Sequence, residues 1–329
     1  MRTAELGPGD DAALETALPA LPHEAIAARS TLELFWRRLR TDRVALAALA
    51  FIVLLVLVAV LAPLIVKLVG APPPDEQSSA ALDPTFGSPT GPSSQHIFGV
   101  DKLGQDVFSR VVYGTRVSLE VAVLSTGSAV IAGVIVGMLA GYYGGLIDTL
   151  LSRALDVLLA FPILLLGIGL ASACSLGDGC IGGLIQPGLT VVVVVIAIAT
   201  FPYIARIIRG QVLSLREKEF VEAARSLGAS DRRIIFRQIL PNLVAPIIVY
   251  TTLVLPQNIL FEAALSFLGV GVQPPTASWG QMIADATEIF DTAWWFMVFP
   301  GAALVLTVLA FNLVGDGLQD ALNPKTTGR

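Results

Sequence analysis

The chain has 329 residues, of which 14% are charged and 54% hydrophobic, with a mean hydropathy of +0.75. Soluble domains carry roughly a quarter charged residues, so a pair of water-facing domains is excluded and apolar side chains must face lipid. The formal net charge of −5 carries little information about partners, because Glu5, Asp10, Asp11, Glu15 and Glu24 all sit in the leading segment.

Two His and two Cys leave no material for a zinc cluster or a haem site. None of the four lysines follows a glycine-rich phosphate loop, so any ATP used must be hydrolysed by another chain.

Residues 1–43 form a polar tail that ends in a mixed apolar and basic stretch: Leu32, Leu34, Phe35, Trp36, Arg37, Arg38, Leu39 and Arg40. That pattern suits a helix lying on the membrane surface; ordinary basic flanking sequence is the alternative. Residues 44–69 are expected to be an uncleaved transmembrane anchor. Residues 70–116 are extracytoplasmic and begin with a Pro/Ser/Gly-rich linker. Residues 117–329 form a five-span core, interrupted by a charged cytoplasmic loop over 206–241.

Six uncharged runs are long enough for about 20 helical residues each, the length that crosses a bilayer core. They cover 44–66, 121–147, 157–177, 179–205, 238–261 and 292–315. A seventh, 263–284, contains Gln273-Pro274-Pro275 and Ser278-Trp279-Gly280, which predicts a re-entrant or interfacial loop. With both termini inside, 17 of the 21 basic residues lie on the cytoplasmic side and only Lys67, Lys102, Arg110 and Arg116 outside. The bias of basic residues toward the cytoplasm fixes that orientation.

In the second run, Gly133, Gly137, Gly141 and Gly145 recur at four-residue spacing, which predicts one groove for close packing of another helix; pore lining is the alternative. Arg153 and Asp156 stand three apart near the inner end of the third run, and Glu262 ends the fifth at its outer side. These three are candidate pathway residues, with helix-end pairing or snorkelling preferred. Cys174 and Cys180 flank an external Gly-Asp-Gly, where a bridge and two separate thiols are both open.

The loop 206–241 carries eight basic and four acidic residues, so it is a solvated surface. Ser214–Leu227 reads as a helix. Gly228 follows where a left-handed cap is needed, and Ser230 or Asp231 starts a second helix. A helix–Gly–helix elbow between two spans is a knob that a partner can grip.

Its sequence, Glu219-Phe220-Val221-Glu222-Ala223-Ala224-Arg225-Ser226-Leu227-Gly228 running on to Ile239-Leu240-Pro241, resembles the Glu-Ala-Ala loop of binding-protein-dependent ABC importer permeases. Two further stretches narrow the likeness. The segment Phe98-Gly99-Val100-Asp101-Lys102-Leu103-Gly104-Gln105-Asp106-Val107-Phe108-Ser109-Arg110, and Leu265-Ser266-Phe267-Leu268-Gly269 followed by Ser278-Trp279-Gly280, resemble segments of dipeptide/oligopeptide permeases. The N-terminal anchor suits their C-type subunit. Gln105 stands where that pattern usually has Arg, and Asn323 where it often has Asp.

The resemblance implies an all-α membrane protein with the six-helix, MetI-like bundle of type I importers in a bacterial plasma (inner) membrane. It implies a second homologous permease, two ATPase subunits that hold ATP and Mg, and an extracytoplasmic peptide-binding protein. It assigns ATPase coupling to Glu222, Ala223, Ala224, Gly228, Ile239, Leu240 and Pro241. No cofactor within the chain, no catalysis by it and no nucleic-acid partner are expected. An ion-gradient-driven secondary transporter is the competing class; it predicts mid-membrane charges and an inverted repeat, and the central turns of the six runs carry no charge.

Overall fold

The computed structural model describes residues 40–175 and 188–322. The tail and its surface helix up to residue 39, Cys180 and the first part of the 179–205 run, and Asn323 lie outside the described residues.

Helix α1, Arg43–Val69, starts where the Asp42 carboxylate accepts from the Val44 and Ala45 amides at 2.9 and 3.0 Å, and ends on a left-handed Gly70. Ala45, Ala48, Ala59 and Ala62 are buried, and Val53, Leu54, Leu57, Val60 and Leu64 are exposed. Small residues therefore face the bundle and branched ones face outward, as a lipid-contacting helix requires.

The segment that follows is folded over the outer ends of the helices. The Asp101 carboxylate accepts from the Leu103 and Gln105 amides, and burial pushes its carboxyl above the usual range, against those amides and Arg110. Gln105 supplies the acceptor for Arg110. Asp106 accepts from the Ser109 amide at 2.8 Å and starts α2, Val107–Tyr143. Trp295 donates its indole N–H to the Val100 carbonyl at 3.1 Å, so the last helix anchors this segment. Lys102 reaches Glu288 at 2.7 Å and Asp285 at 3.4 Å.

Helix α2 begins well before the uncharged run at 121. Arg110, Arg116 and Glu120 cut the hydropathy run short, but nothing in their backbone stops a helix. The run from 157 to 177 is also corrected. It divides between α3, Gly145–Ala160, and α4, Ile163–Ser175, which meet at 91°. Pro162 has no N–H to continue the ladder and forces Phe161 into an extended conformation (φ −84°, ψ 136°).

Helix α5, Leu189–Arg216, is followed by a short α6, Glu219–Ser226. Next come α7, Asp231–Ile234, a π-helical turn Ile235–Ile239, and α8, Leu240–Phe267, in one continuous direction. The π turn directly precedes Pro241, whose ring cannot sit inside a regular α ladder. Short α9, Trp279–Ala286, and α10, Trp294–Leu322, complete the described chain.

Among the described residues, five helices are long and apolar enough to cross a membrane, and the bent pair α3–α4 makes a sixth if taken as one span. The 263–284 run is divided between the end of α8, a loop and α9. Trp279 is fully buried there and donates to the Val111 carbonyl at 3.1 Å.

The centre of the bundle is the seam between α2 and α5. A Cβ on Gly133 would stand 2.8 Å from Ile204, one on Gly137 2.6 Å from the Ala205 carbonyl oxygen, and one on Gly141 2.8 Å from Val212. Only glycine lets the two backbones approach this closely. Gly145 does not belong to that groove. It opens α3, beyond the break at Gly144, and no atom lies within 4 Å of where its Cβ would be.

Candidate coupling site

The elbow is built in three steps. Helix α5 runs past the last uncharged residue to Arg216, and the chain turns there through the Lys218 amide donating to the Leu215 carbonyl at 3.1 Å. The helix expected over Ser214–Leu227 is thus two helices. Helix α6 then presents Val221 inward, fully buried among Ile234, Ile235, Ile239, Leu243 and Val212.

At its end the Gly228 amide donates to the Arg225 carbonyl at 2.9 Å and the Ala229 amide to the Ala224 carbonyl at 3.0 Å. This pair of bonds is a Schellman closure, and it requires a positive φ at Gly228, observed at +77°. Ser230 precedes α7 but its side chain makes no cap bond.

The outward face carries Glu222 and Ala223, exposed, with Ala224 half-buried beside them. Three bulky apolar side chains of the elbow are also exposed: Phe220, Leu227, which is 89% exposed, and Phe236. Leu227, the last residue of the helix expected from the sequence, points outward because the Schellman turn has already left the helix. Ile239 faces the other way. It is buried under the elbow and holds its root, while Leu240 is half-buried and Pro241 is exposed on the first turn of α8.

Contacts that sequence spacing did not reveal tie the elbow to the bundle. Tyr142 donates its hydroxyl to Asp231 at 2.7 Å, across 89 residues. Arg216 donates to the Gly141 and Tyr142 carbonyls at 3.3 and 3.2 Å, covering the end of α2. Arg209 forks onto Asp148 of α3, with Nη2 at 2.7 Å. The only sequence signal was that tyrosine and arginine stand beside the ends of apolar runs.

The seam glycines, the rooted elbow and the helix order are together the pattern against which relatives can be judged. The profile described as "Binding-protein-dependent transport system inner membrane component" matches residues 133–328. The chain belongs to that family. The profile for the N-terminal TM domain of oligopeptide transport permease C matches residues 30–85 of the permease.

Among curated relatives, the dipeptide transport system permease protein DppC of Alkalihalophilus pseudofirmus is 41% identical over 88% of this chain and 88% of its own. The glutathione transport system permease protein GsiD of Pectobacterium atrosepticum is 40% identical over 95% and 97%. A solved inward-facing structure of the MetNI methionine ABC transporter covers 66% of this chain and 97% of its own with a TM-score of 0.53 and 20% identity, a likeness of fold. The fold is the MetI-like ABC importer permease bundle, and the permease is a multi-pass inner-membrane subunit with no catalytic role.

The three charged residues singled out in the permease sequence are not brought together. Arg153 is 80% exposed in its side chain on α3, and Asp156 receives Arg206 of α5 at 2.5 Å while Arg153 stands 3.9 Å away. This is a helix-to-helix clamp. Glu262 neither snorkels nor pairs at a helix end. It is fully buried in α8, accepts from Ser118 of α2 at 3.1 Å and from Ser266 at 2.8 Å, and the Ser266 hydroxyl in turn accepts from the Val272 amide at 3.0 Å.

Helix α8 runs one more turn beyond Glu262, and Gly280 at the start of α9 closes over it. A Cβ on Gly280 would lie 2.5 Å from the Ala263 Cα. Cys174, at the outer end of α4, is buried against the α5 side of the bundle, while Cys180 lies outside the described residues.

Proposed function

We propose that this permease moves peptides of the dipeptide to oligopeptide class into the cell. In this reading it pairs with a homologous permease, receives cargo from an extracytoplasmic binding protein, and docks two ATPase chains that hold ATP and Mg. The dipeptide and glutathione names of relatives about 40% identical over most of the chain support the cargo class. The division into tail, anchor, extracytoplasmic segment and five-span core is part of the same proposal.

The observation that carries the coupling role is the elbow itself. Its outer face is exposed and apolar at Phe220, Leu227 and Phe236, with small side chains at Ala223 and Ala224, and its inner face is rooted in the bundle at Val221. A knob with a bare tip and a buried root transmits displacement. When the ATPases close on ATP, a partner cleft would draw α6 along. Tyr142–Asp231, Arg216 and the Val221 cluster would pass that motion to α2 and α5 as rigid bodies. Glu222 offers a charge at the tip, and Gly228 sets the angle between the two arms.

The test is reconstitution of the four-subunit complex with its binding protein in proteoliposomes. Ala224→Arg adds bulk and charge beside the tip, at a half-buried residue packed against the edge of the Val221 cluster. It is expected to insert normally, to lose ATPase-subunit retention, and to abolish uptake-coupled ATP hydrolysis. Wild-type uptake and retention in this variant would return the elbow to an ordinary solvated loop.

A further inference from the structure

The bend between α3 and α4 opens a cavity of about 330 Å³, bounded by both of those helices, α5 and α8. That volume is at the lower end of ligand pockets. Its walls include Leu159, Phe161, Leu166, Thr200, Tyr203 and Gln257, and no charged side chain among the described residues lines it. Neither α1 nor α10 contributes to the lining.

Two unpaired polar side chains line the cavity beside these apolar walls. The Tyr203 and Gln257 side chains are exposed to the cavity side and make no hydrogen bond among the described residues. Thr200 is satisfied by the Ile196 carbonyl at 2.8 Å.

Tyrosine hydroxyl and glutamine amide can each donate and accept. That set matches the N–H and C=O of a peptide group, while Leu159, Phe161 and Leu166 match an apolar side chain. A polar group left unpaired against apolar walls is costly, so an occupant able to pair with it is favoured.

We infer that this cavity is a transient seat for cargo inside the permease, holding a peptide amide through Tyr203 and Gln257 and an uncharged side chain against the Leu159–Phe161–Leu166 wall. This deepens the peptide-import reading and rests on it. The binding protein would set which peptides arrive. The cavity would set which of them pass quickly, favouring apolar side chains and slowing those that bring a charge into an uncharged site.

Uptake of diphenylalanine, diglycine and a dilysine peptide by the reconstituted complex tests the inference. Leu159→Trp fills the apolar part, and Tyr203→Phe with Gln257→Leu removes the amide partners. Leu159→Trp is expected to lower uptake of diphenylalanine about tenfold relative to diglycine, a discrimination typical of a shaped apolar pocket. The double variant is expected to raise the uptake KM for both neutral peptides with ATPase retention unchanged. An unchanged diphenylalanine-to-diglycine ratio in Leu159→Trp, an unchanged KM in the double variant, or an equal loss for all three peptides with loss of ATPase retention would overturn the seat. If the wild-type complex imports none of the three, the peptide reading itself fails and the seat fails with it.

Discussion

Gly228 gives the sharpest test of the elbow, because the structure separates backbone cost from steric cost there. Its φ is +77°, and no heavy atom lies within 4 Å of the position a Cβ would take. A side chain would therefore meet open space, and any penalty must come from the left-handed backbone. For L-residues that penalty is about 1–2 kcal/mol, with Asn tolerated best.

Taking about 1 kcal/mol for Ala and about 1.8 kcal/mol for the β-branched Val, the correctly angled elbow becomes about fivefold and about twentyfold less populated against relaxed alternatives. Relaxation would release the Gly228-to-Arg225 and Ala229-to-Ala224 bonds and swing α6 relative to α7. ATP hydrolysis stimulated by loaded binding protein is expected to fall in the order Asn, Ala, Val, with Asn within about twofold of wild type. Membrane insertion should be unaffected throughout. A Val variant as active as wild type, or an Asn variant as poor as Val, would refute the reasoning; the second result would mean that the partner touches position 228 itself.

Three further outcomes are expected. Gly137→Ala would place a Cβ 2.6 Å from the Ala205 carbonyl oxygen, whereas the same change at Gly127 meets nothing within 4 Å. Thermal unfolding in detergent should show the first destabilised by about 1–3 kcal/mol and the second unchanged; equal Tm values would remove the α2–α5 seam from the account.

Lys102 is held above its ordinary pKa by Glu288, and Glu288 below its own by Lys102. Their link is present between the two ordinary values. It is lost as pH falls through the depressed Glu288 value and as pH rises through the raised Lys102 value. Hydrogen exchange over 101–106 and 285–289 should therefore quicken at both extremes, and Lys102→Met should abolish that dependence. Finally, non-reducing mass spectrometry of the intact protein is expected to show Cys174 joined to Cys180; alkylation of both thiols without reduction would make them separate packing residues.

Properties that reside in one short stretch of chain were legible in the sequence. Six apolar runs and the distribution of arginines set the bundle and its orientation, because the transfer of apolar residues into lipid and the basic-residue bias depend on composition alone. The left-handed turn at Gly228 was legible for a similar reason: the glycine follows an amphipathic turn, and its conformation is local.

What side chains do across long separations was decided by the tertiary structure. The run from 157 to 177 looked like one span because hydropathy ignores the backbone break that Pro162 makes, and α2 looked short because hydropathy ends at a charge while a helix does not. Gly145 kept the four-residue spacing yet left the groove, since the chain had turned at Gly144. Glu262 looked like a helix-end charge until Ser118 from α2, far away in sequence, and the closing loop before α9 buried it. Tyr142 found Asp231 only when folding brought the end of α2 beside the start of α7. A buried polar group is stable only when partners surround it, and which residues become those partners is fixed by the packing of helices that are remote in sequence.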